Sequence, residues 1–294
     1  MIQKCTFMDN EAALGGGAIW GQLCDGTLVV ECSFEGNTAD DDGGAVYLEG
    51  YPDEDGGAFE RVHLIKNVYN SNRATEGGAI YIKDKDVTIS HSVFSGNRAS
   101  VEGGALWCGA ERTSLSDPVE IYNVCNAFSG TQVTTGSGDG ECVVFLLQAT
   151  DVESLIFNSF NNTIGQNTDV RGITLMNSSG TDNVLVMRCA NEIIYGNSTT
   201  LTPISVNATG GYASDWEVVY SDTEQSVGGT GNITSNPQFT TFPFLSSSSP
   251  TSPCIDAGDD NAWDIGFDST VPDEDLFSYT RIQGNAIDMG CVED

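Results

Sequence analysis

What most constrains the fold of this chain is a pair of motifs that return in fixed order. Cys5-Thr6-Phe7-Met8-Asp9-Asn10, Cys32-Ser33-Phe34-Glu35-Gly36-Asn37, Val68-Tyr69-Asn70-Ser71-Asn72 and Val93-Phe94-Ser95-Gly96-Asn97 each place an aromatic residue three positions before an asparagine. Shortly after each comes Gly-Gly-Ala and an apolar residue, at Gly16-Gly17-Ala18-Ile19, Gly43-Gly44-Ala45-Val46, Gly77-Gly78-Ala79-Ile80 and Gly103-Gly104-Ala105-Leu106. The asparagines are 27, 35 and 25 residues apart, and the long interval holds a further Gly56-Gly57-Ala58. A period of this length marks a solenoid, in which one unit cannot bury its own apolar face and is stabilised by its neighbours.

The residue types say what one unit looks like. Ala18-Ile19-Trp20, Thr27-Leu28-Val29-Val30, Ala45-Val46-Tyr47-Leu48 and Val87-Thr88-Ile89 are short, β-branched or aromatic, and bounded by Gly, Asn and Asp. Such runs are strands joined by tight bends and are too short for helices. Stacking at the ~4.8 Å strand spacing would bring equivalent residues into columns. The predicted columns are Phe7, Phe34, Tyr69 and Phe94, and Asn10, Asn37, Asn72 and Asn97, with each asparagine bonding the rungs above and below. The glycine pairs supply bends at positive φ, and the small alanine fits a crowded corner. Past residue 110 the pattern loosens, but Val143-Val144-Phe145-Leu146-Leu147, Leu155-Ile156-Phe157, Ile173-Thr174-Leu175 and Val184-Leu185-Val186-Met187 continue it. The expected fold is all-β, a right-handed parallel β-helix of about nine coils, ~25 residues each. Coils fill residues 1–245 and a closing segment fills 246–294, its core at 252–293 folding over the last coil as a cap.

These motifs resemble the repeat of chlamydial polymorphic outer membrane proteins and of bacterial surface β-helix proteins that share it, over residues 5 to 107. A second likeness, to the closing segment of those proteins, is carried by Ile193-Ile194-Tyr195-Gly196-Asn197, Asn236-Pro237-Gln238-Phe239, Ser252-Pro253-Cys254-Ile255-Asp256-Ala257-Gly258, Arg281 and Ile287-Asp288-Met289-Gly290-Cys291. The resemblance implies export, display at the cell surface and an adhesive or structural role. Asp256, Arg281 and Asp288 are then expected to make internal contacts in the closing segment.

Forty-two acidic residues against 11 basic give a net charge of −31. Such a field repels phosphate backbones and anionic bilayers, which excludes nucleic acid as a partner. No apolar run reaches the ~18 residues of a membrane span. Asp40-Asp41-Asp42 and Asp53-Glu54-Asp55 precede Gly-Gly turns, where their carboxylates could converge on calcium; solvated acidic bends are the alternative. Nine cysteines in an exported chain suggest disulfides with one thiol left over. Cys5 and Cys32 share a repeat position and Cys254 and Cys291 flank the closing segment, so these four are the candidates; buried free thiols are the alternative. Asn161, Asn177, Asn197, Asn207 and Asn232 begin glycosylation sequons.

Trp20, Tyr47, Tyr81 and Trp107 each follow Gly-Gly-Ala and form either a stabilising stack or a platform for sugar rings. His63 and His91 are read as structural, and no serine lies in a nucleophile elbow. Two functions follow. The leading one is a non-catalytic structural or adhesive surface protein that binds a carbohydrate or cell-surface ligand and self-associates through its coil ends into a fibre. The alternative is a polysaccharide lyase or glycoside hydrolase, which needs a basic residue or two spaced carboxylates. In sequence, Lys66, Arg73, Lys83, Lys85, Arg98 and Arg112 do not cluster with the acids.

Overall fold

The computed structural model describes residues 1–22, 24–50, 60–111, 118–135, 142–148, 155–177, 185–198, 200–208, 214–261, 274–281 and 284–293. Among these there is no helix, and every paired strand of the coils runs parallel to its neighbours. The strands form four sheets of eight, eight, five and seven strands, each built from equivalent segments of successive coils. Coil three shows the unit: Val62–Ile65 in the first sheet, Val68–Asn70 in the second, Arg73–Glu76 in the third and Ile80–Lys83 in the fourth. This is a right-handed parallel β-helix, the hand that parallel crossovers take almost without exception.

Seven coils contribute to the fourth sheet and an eighth ends at Asp222–Thr223, with Ile233 bridged to Asp222. Among the described residues there are eight coils rather than nine, because the later intervals along the corner column are 36 residues from Thr131 to Asn167 and 30 from Asn167 to Asn197. A period of ~25 holds only for the most regular repeats.

Alternating residues of each strand point inward, as the two-residue pleat requires. Val46, Ile80, Leu106, Val144 and Ile173 are register neighbours in the fourth sheet and fully buried, as are Val62, Val87 and Ile121 of the first. In the second sheet Phe7, Phe34, Tyr69 and Phe94 lie ring over ring at 4.9, 4.9 and 4.7 Å, and Phe128 continues the stack at 4.5 Å. Near-parallel rings follow from strand spacing, which leaves no room for edge-to-face tilting.

Corner residues close the coils. The asparagine column stands between the second and third sheets: Asn10, Asn37 and Asn72 donate backbone N–H to the Oδ1 of Asn37, Asn72 and Asn97 at 3.1, 3.0 and 3.0 Å. Each side-chain amide also donates to a carbonyl of the preceding coil, Asn72 to Phe34 and Asn97 to Tyr69. Thr131 takes this place in coil five, and its buried hydroxyl has no hydrogen-bond partner among the described residues. The column resumes at Asn167, which accepts from Thr131 N–H at 2.8 Å and donates to Asn197. Thr131→Asn would supply the missing amide, and the expected gain is about 1 kcal/mol. It should appear as a higher urea midpoint at unchanged slope; a midpoint at or below that of the parent would contradict the role assigned to the column.

The Gly-Gly corner divides its work. Gly16, Gly43, Gly77 and Gly103 have φ from 58 to 67°. Their successors do not; a side chain on Gly44 or Gly78 would strike the backbone of the next coil.

The segment expected to close the helix, 246–294, has its described contacts on the flank, along the corner between the first and second sheets. Glu274 and Ser278 meet Lys66, the Glu274 carbonyl meets His91, Arg281 meets Cys125, the Asp288 carbonyl meets Asn161 and Cys254 meets Asp222. These contacts span coils three to eight. Within the segment Asp256 accepts N–H groups of Asn285 and Ala286, Asp288 accepts that of Asp256, and Arg281 pairs with buried Glu293.

Candidate functional site

The outer side of the fourth sheet carries the most concentrated chemistry. Trp20, Tyr47, Tyr81, Trp107 and Phe145 are consecutive register partners. Their ring centroids are 6.4, 5.1, 4.1 and 6.4 Å apart. Trp107 can lie flat because Gly109, the next residue on that face, has no side chain to collide with it. Exposure falls along the strip, from 56% at Trp20 through half-buried Tyr47 to 5% at Tyr81 and 1% at Trp107. The inner rings are therefore structural, and only Trp20 and Tyr47 offer faces to a ligand.

A carboxylate column borders this strip. Asp42 pairs in register with Glu76, and Glu76 with Glu102, so three acids stand on adjacent rungs directly before their glycines. Partial burial raises all three. It lifts Glu76 to about 7, helped by Glu102 and Asp42, and Asp42 to about 6, helped by Asp41. Glu102, also raised by burial, accepts the Trp107 indole N–H at 3.3 Å. Beside them Lys83 is ion-paired with Glu111. The sequence holds a signal for this column, an acid immediately before Gly-Gly in three repeats.

Asp40 and Asp41 are exposed at the turn and only Asp42 joins the column; Asp53, Glu54 and Asp55 lie outside the described residues. No group of three or more His, Cys, Asp or Glu side chains among the described residues converges as a metal site requires. Among the described acids, Asp42, Glu76 and Glu102 stand side by side on successive rungs.

Cys5 and Cys32 do occupy equivalent positions, but no disulfide joins them, nor Cys254 to Cys291; all nine cysteines are free. The Cys5 and Cys32 thiols donate alike, to the carbonyls of Gln3 and Val30, and the Cys32 sulfur also accepts from the Cys5 N–H. Cys254 donates to Asp222, and burial pushes the Cys291 thiol up to about 12 and that of Cys125 to about 11. Cys125, Cys254 and Cys291 are protonated, inert core thiols.

Three of the five sequon asparagines lie inside the wall. Asn161, Asn177 and Asn197 are buried, and Asn161 and Asn197 spend their amides on the carbonyls of Asp288 and Ile164. Asn232 donates to Val218 and Gly228, and Asn207 is half-buried. A glycan needs a free, accessible amide nitrogen. His91 is buried against the Glu274 carbonyl, and burial lowers the pKa of both His63 and His91. Lys66, Lys83 and Lys85 are paired with Glu274, Glu111 and Asp25, whereas Arg112 lies outside the described residues.

Sequence reasoning missed a second polar column, at the corner between the first and second sheets. Here backbone N–H groups of Cys32, Asn67, Ser92 and Asn126 donate to the side chains of Asn67, Ser92, Asn126 and Asn162. It continues through Glu192, Ser221 and Asn232. Because the residue type varies, only its position marks it, two residues before each aromatic or apolar member of the second-sheet column.

The Chlamydia polymorphic membrane protein repeat matches the chain three times, at residues 4–22, 31–49 and 91–109. Each match runs from the aromatic and asparagine columns through Gly-Gly-Ala to the outer aromatic, in coils one, two and four. No curated protein and no solved structure matches the chain. No helix among the described residues is long and apolar enough to cross a membrane.

Proposed function

We propose that this β-helix with polymorphic membrane protein repeats is a surface-displayed, non-catalytic adhesive module that binds a saccharide on the strip at Trp20 and Tyr47. The observation that carries the reading is the exposed face of Trp20, stacked on Tyr47 with Asp41 and Asp42 on the neighbouring turn. Aromatic faces hold the apolar faces of sugar rings, and carboxylates accept their hydroxyl protons. Trp20→Ala should lower binding to immobilised glycans by about tenfold. Because Trp20 is exposed, the same change should alter stability by no more than ~0.5 kcal/mol. Equal glycan binding by parent and variant would remove the strip from consideration.

Head-to-tail assembly of the coil stack into a fibre is part of the proposal, since strand edges at the end of a solenoid template association. Sedimentation over a wide concentration range should reveal linear oligomers, and a constant monomer would exclude them.

The raised carboxylates of Glu76 and Asp42 favour one other reading, a glycoside hydrolase, whose acid must stay protonated near neutrality. Against it, three acids in one column share one environment, whereas an acid and a base need environments that separate their pKa values. Release of reducing ends from a polysaccharide panel, abolished by Glu76→Gln, would establish the hydrolase.

A further inference from the structure

We infer that Arg73 and Arg98, on the outer face of the third sheet, form a binding site for the oxyanion of an acidic sugar. This site is separate from the aromatic strip and does not depend on it. The two arginines are direct register partners on adjacent coils, and with Ala74, Ala99, Ser100 and Thr134 they line a half-open cleft of ≈190 Å³.

Three observations argue against a purely structural pair. First, like charges placed opposite each other on neighbouring strands destabilise a sheet. The column containing them reads Glu11, Thr38, Arg73, Arg98, Gln132, so no carboxylate in that column lies beside either guanidinium. Second, the chain has only 11 basic residues among 42 acidic ones. Lys4, Arg61, Lys66, Lys83, Lys85 and Arg281 each face a carboxylate, whereas Arg73 and Arg98 make no ion pair and no side-chain hydrogen bond with any described residue. Third, the cleft has a floor of strand backbone at buried Ala74 and Ala99, and a rim with the hydroxyls of Ser100 and Thr134.

A guanidinium presents a planar fork of N–H donors that matches a carboxylate or sulfate, and two forks stacked at strand spacing can clamp one oxyanion from two sides. The hydroxyls then meet the ring hydroxyls of the sugar that bears it. The cleft volume lies below the ~300–1,000 Å³ of drug-sized sites and suits a single sugar unit. The negative field of the rest of the surface selects against long polyanions. The ligand class is therefore one charged sugar on an otherwise weakly charged glycan, carrying either a carboxylate or a sulfate ester.

The probes are glucuronate, glucose 6-sulfate and glucose, titrated into the whole chain and followed by ¹⁵N NMR of arginine Nε–H groups assigned by substitution. Glucuronate or glucose 6-sulfate at roughly millimolar concentration should shift the Arg73 and Arg98 signals together, and glucose should shift neither. The stronger of the two identifies the charged group. Arg73→Gln with Arg98→Gln should weaken that binding at least about tenfold and leave the thermal midpoint unchanged or higher, because a like-charge contact is relieved. Silent arginine signals in the parent protein would overturn the assignment even if the double variant failed to fold. Equal shifts with neutral glucose would overturn it too.

Discussion

Replacing Asn72 by alanine is expected to destabilise the protein by about 3–4 kcal/mol, a large share of the ~5–15 kcal/mol that holds a domain folded. Asn72 is fully buried at the middle of the corner column. Its Oδ1 accepts from Asn37 N–H at 3.0 Å and from the Asn37 amide at 2.9 Å. Its own amide donates to the Phe34 carbonyl at 3.1 Å and to Asn97 Oδ1 at 3.0 Å. Truncation leaves a buried N–H and a buried carbonyl without these partners, each costing ~1–3 kcal/mol where water cannot enter. Asn10→Ala, in the partly exposed end rung, should cost only about 1 kcal/mol because solvent replaces the lost bonds. Urea unfolding followed by both circular dichroism and tryptophan fluorescence would measure the two. A loss below ~1 kcal/mol at Asn72 would mean that the column is not what holds the corner.

The second large effect is a dependence on pH centred on Glu192. This carboxyl stands fully buried in the other polar column, where Oε1 accepts from Ser159 at 3.0 Å and Asn162 at 2.9 Å while Oε2 has no hydrogen-bond partner. Burial lifts its pKa to about 8. In the unfolded chain the group ionises near 4.3. Between those values the native state holds a proton that the unfolded state has released, so stability falls as pH rises. At ~1.4 kcal/mol per unit, the loss across the window is on the order of 5 kcal/mol. Glu293, also near 8, and Glu76, near 7, act in the same direction. His63 and His91, whose charged forms burial disfavours, oppose them on the acid side: below ~6.5 the unfolded chain takes up protons that the folded chain refuses. The expected profile has its maximum on the acid side of neutrality. Glu192→Gln keeps the shape without the charge, so the variant should gain on the parent steadily from pH 5 to pH 8. Parallel stability curves for the two proteins would show that Glu192 is not the group responsible.

These two residues also mark how far the chain could be read without coordinates. Asn72 was legible because one residue type recurs at one place in every early repeat, and a period with a side-chain column is information that a linear sequence displays. The parallel β-helix, the stack from Phe7 to Phe94 and the glycine corners follow from the same repetition, since each coil binds mainly to copies of itself. Glu192 was not legible. Its column contains Cys32, Asn67, Ser92, Asn126, Asn162 and Ser221 as well, and only the register shows that these different side chains answer one demand, a buried backbone N–H needing an acceptor.

Wherever the outcome depended on relations between coils, tertiary structure decided it. Cys5 and Cys32 hold the same corner position on adjacent coils, yet each thiol donates to the carbonyl two residues before it and no disulfide joins them. Asn161 and Asn197 carry sequons and lie buried where the chain turns. Arg73 and Arg98 seemed scattered along the sequence and stand side by side on the third sheet. Local residue pattern determined how one coil bends, because bends and strands depend on φ, side-chain branching and alternation within a few residues. Which side chains meet, and which stay dry, was set by the stacking of coils some 25 to 36 residues apart, because hydrogen bonding and burial act through space and not along the chain.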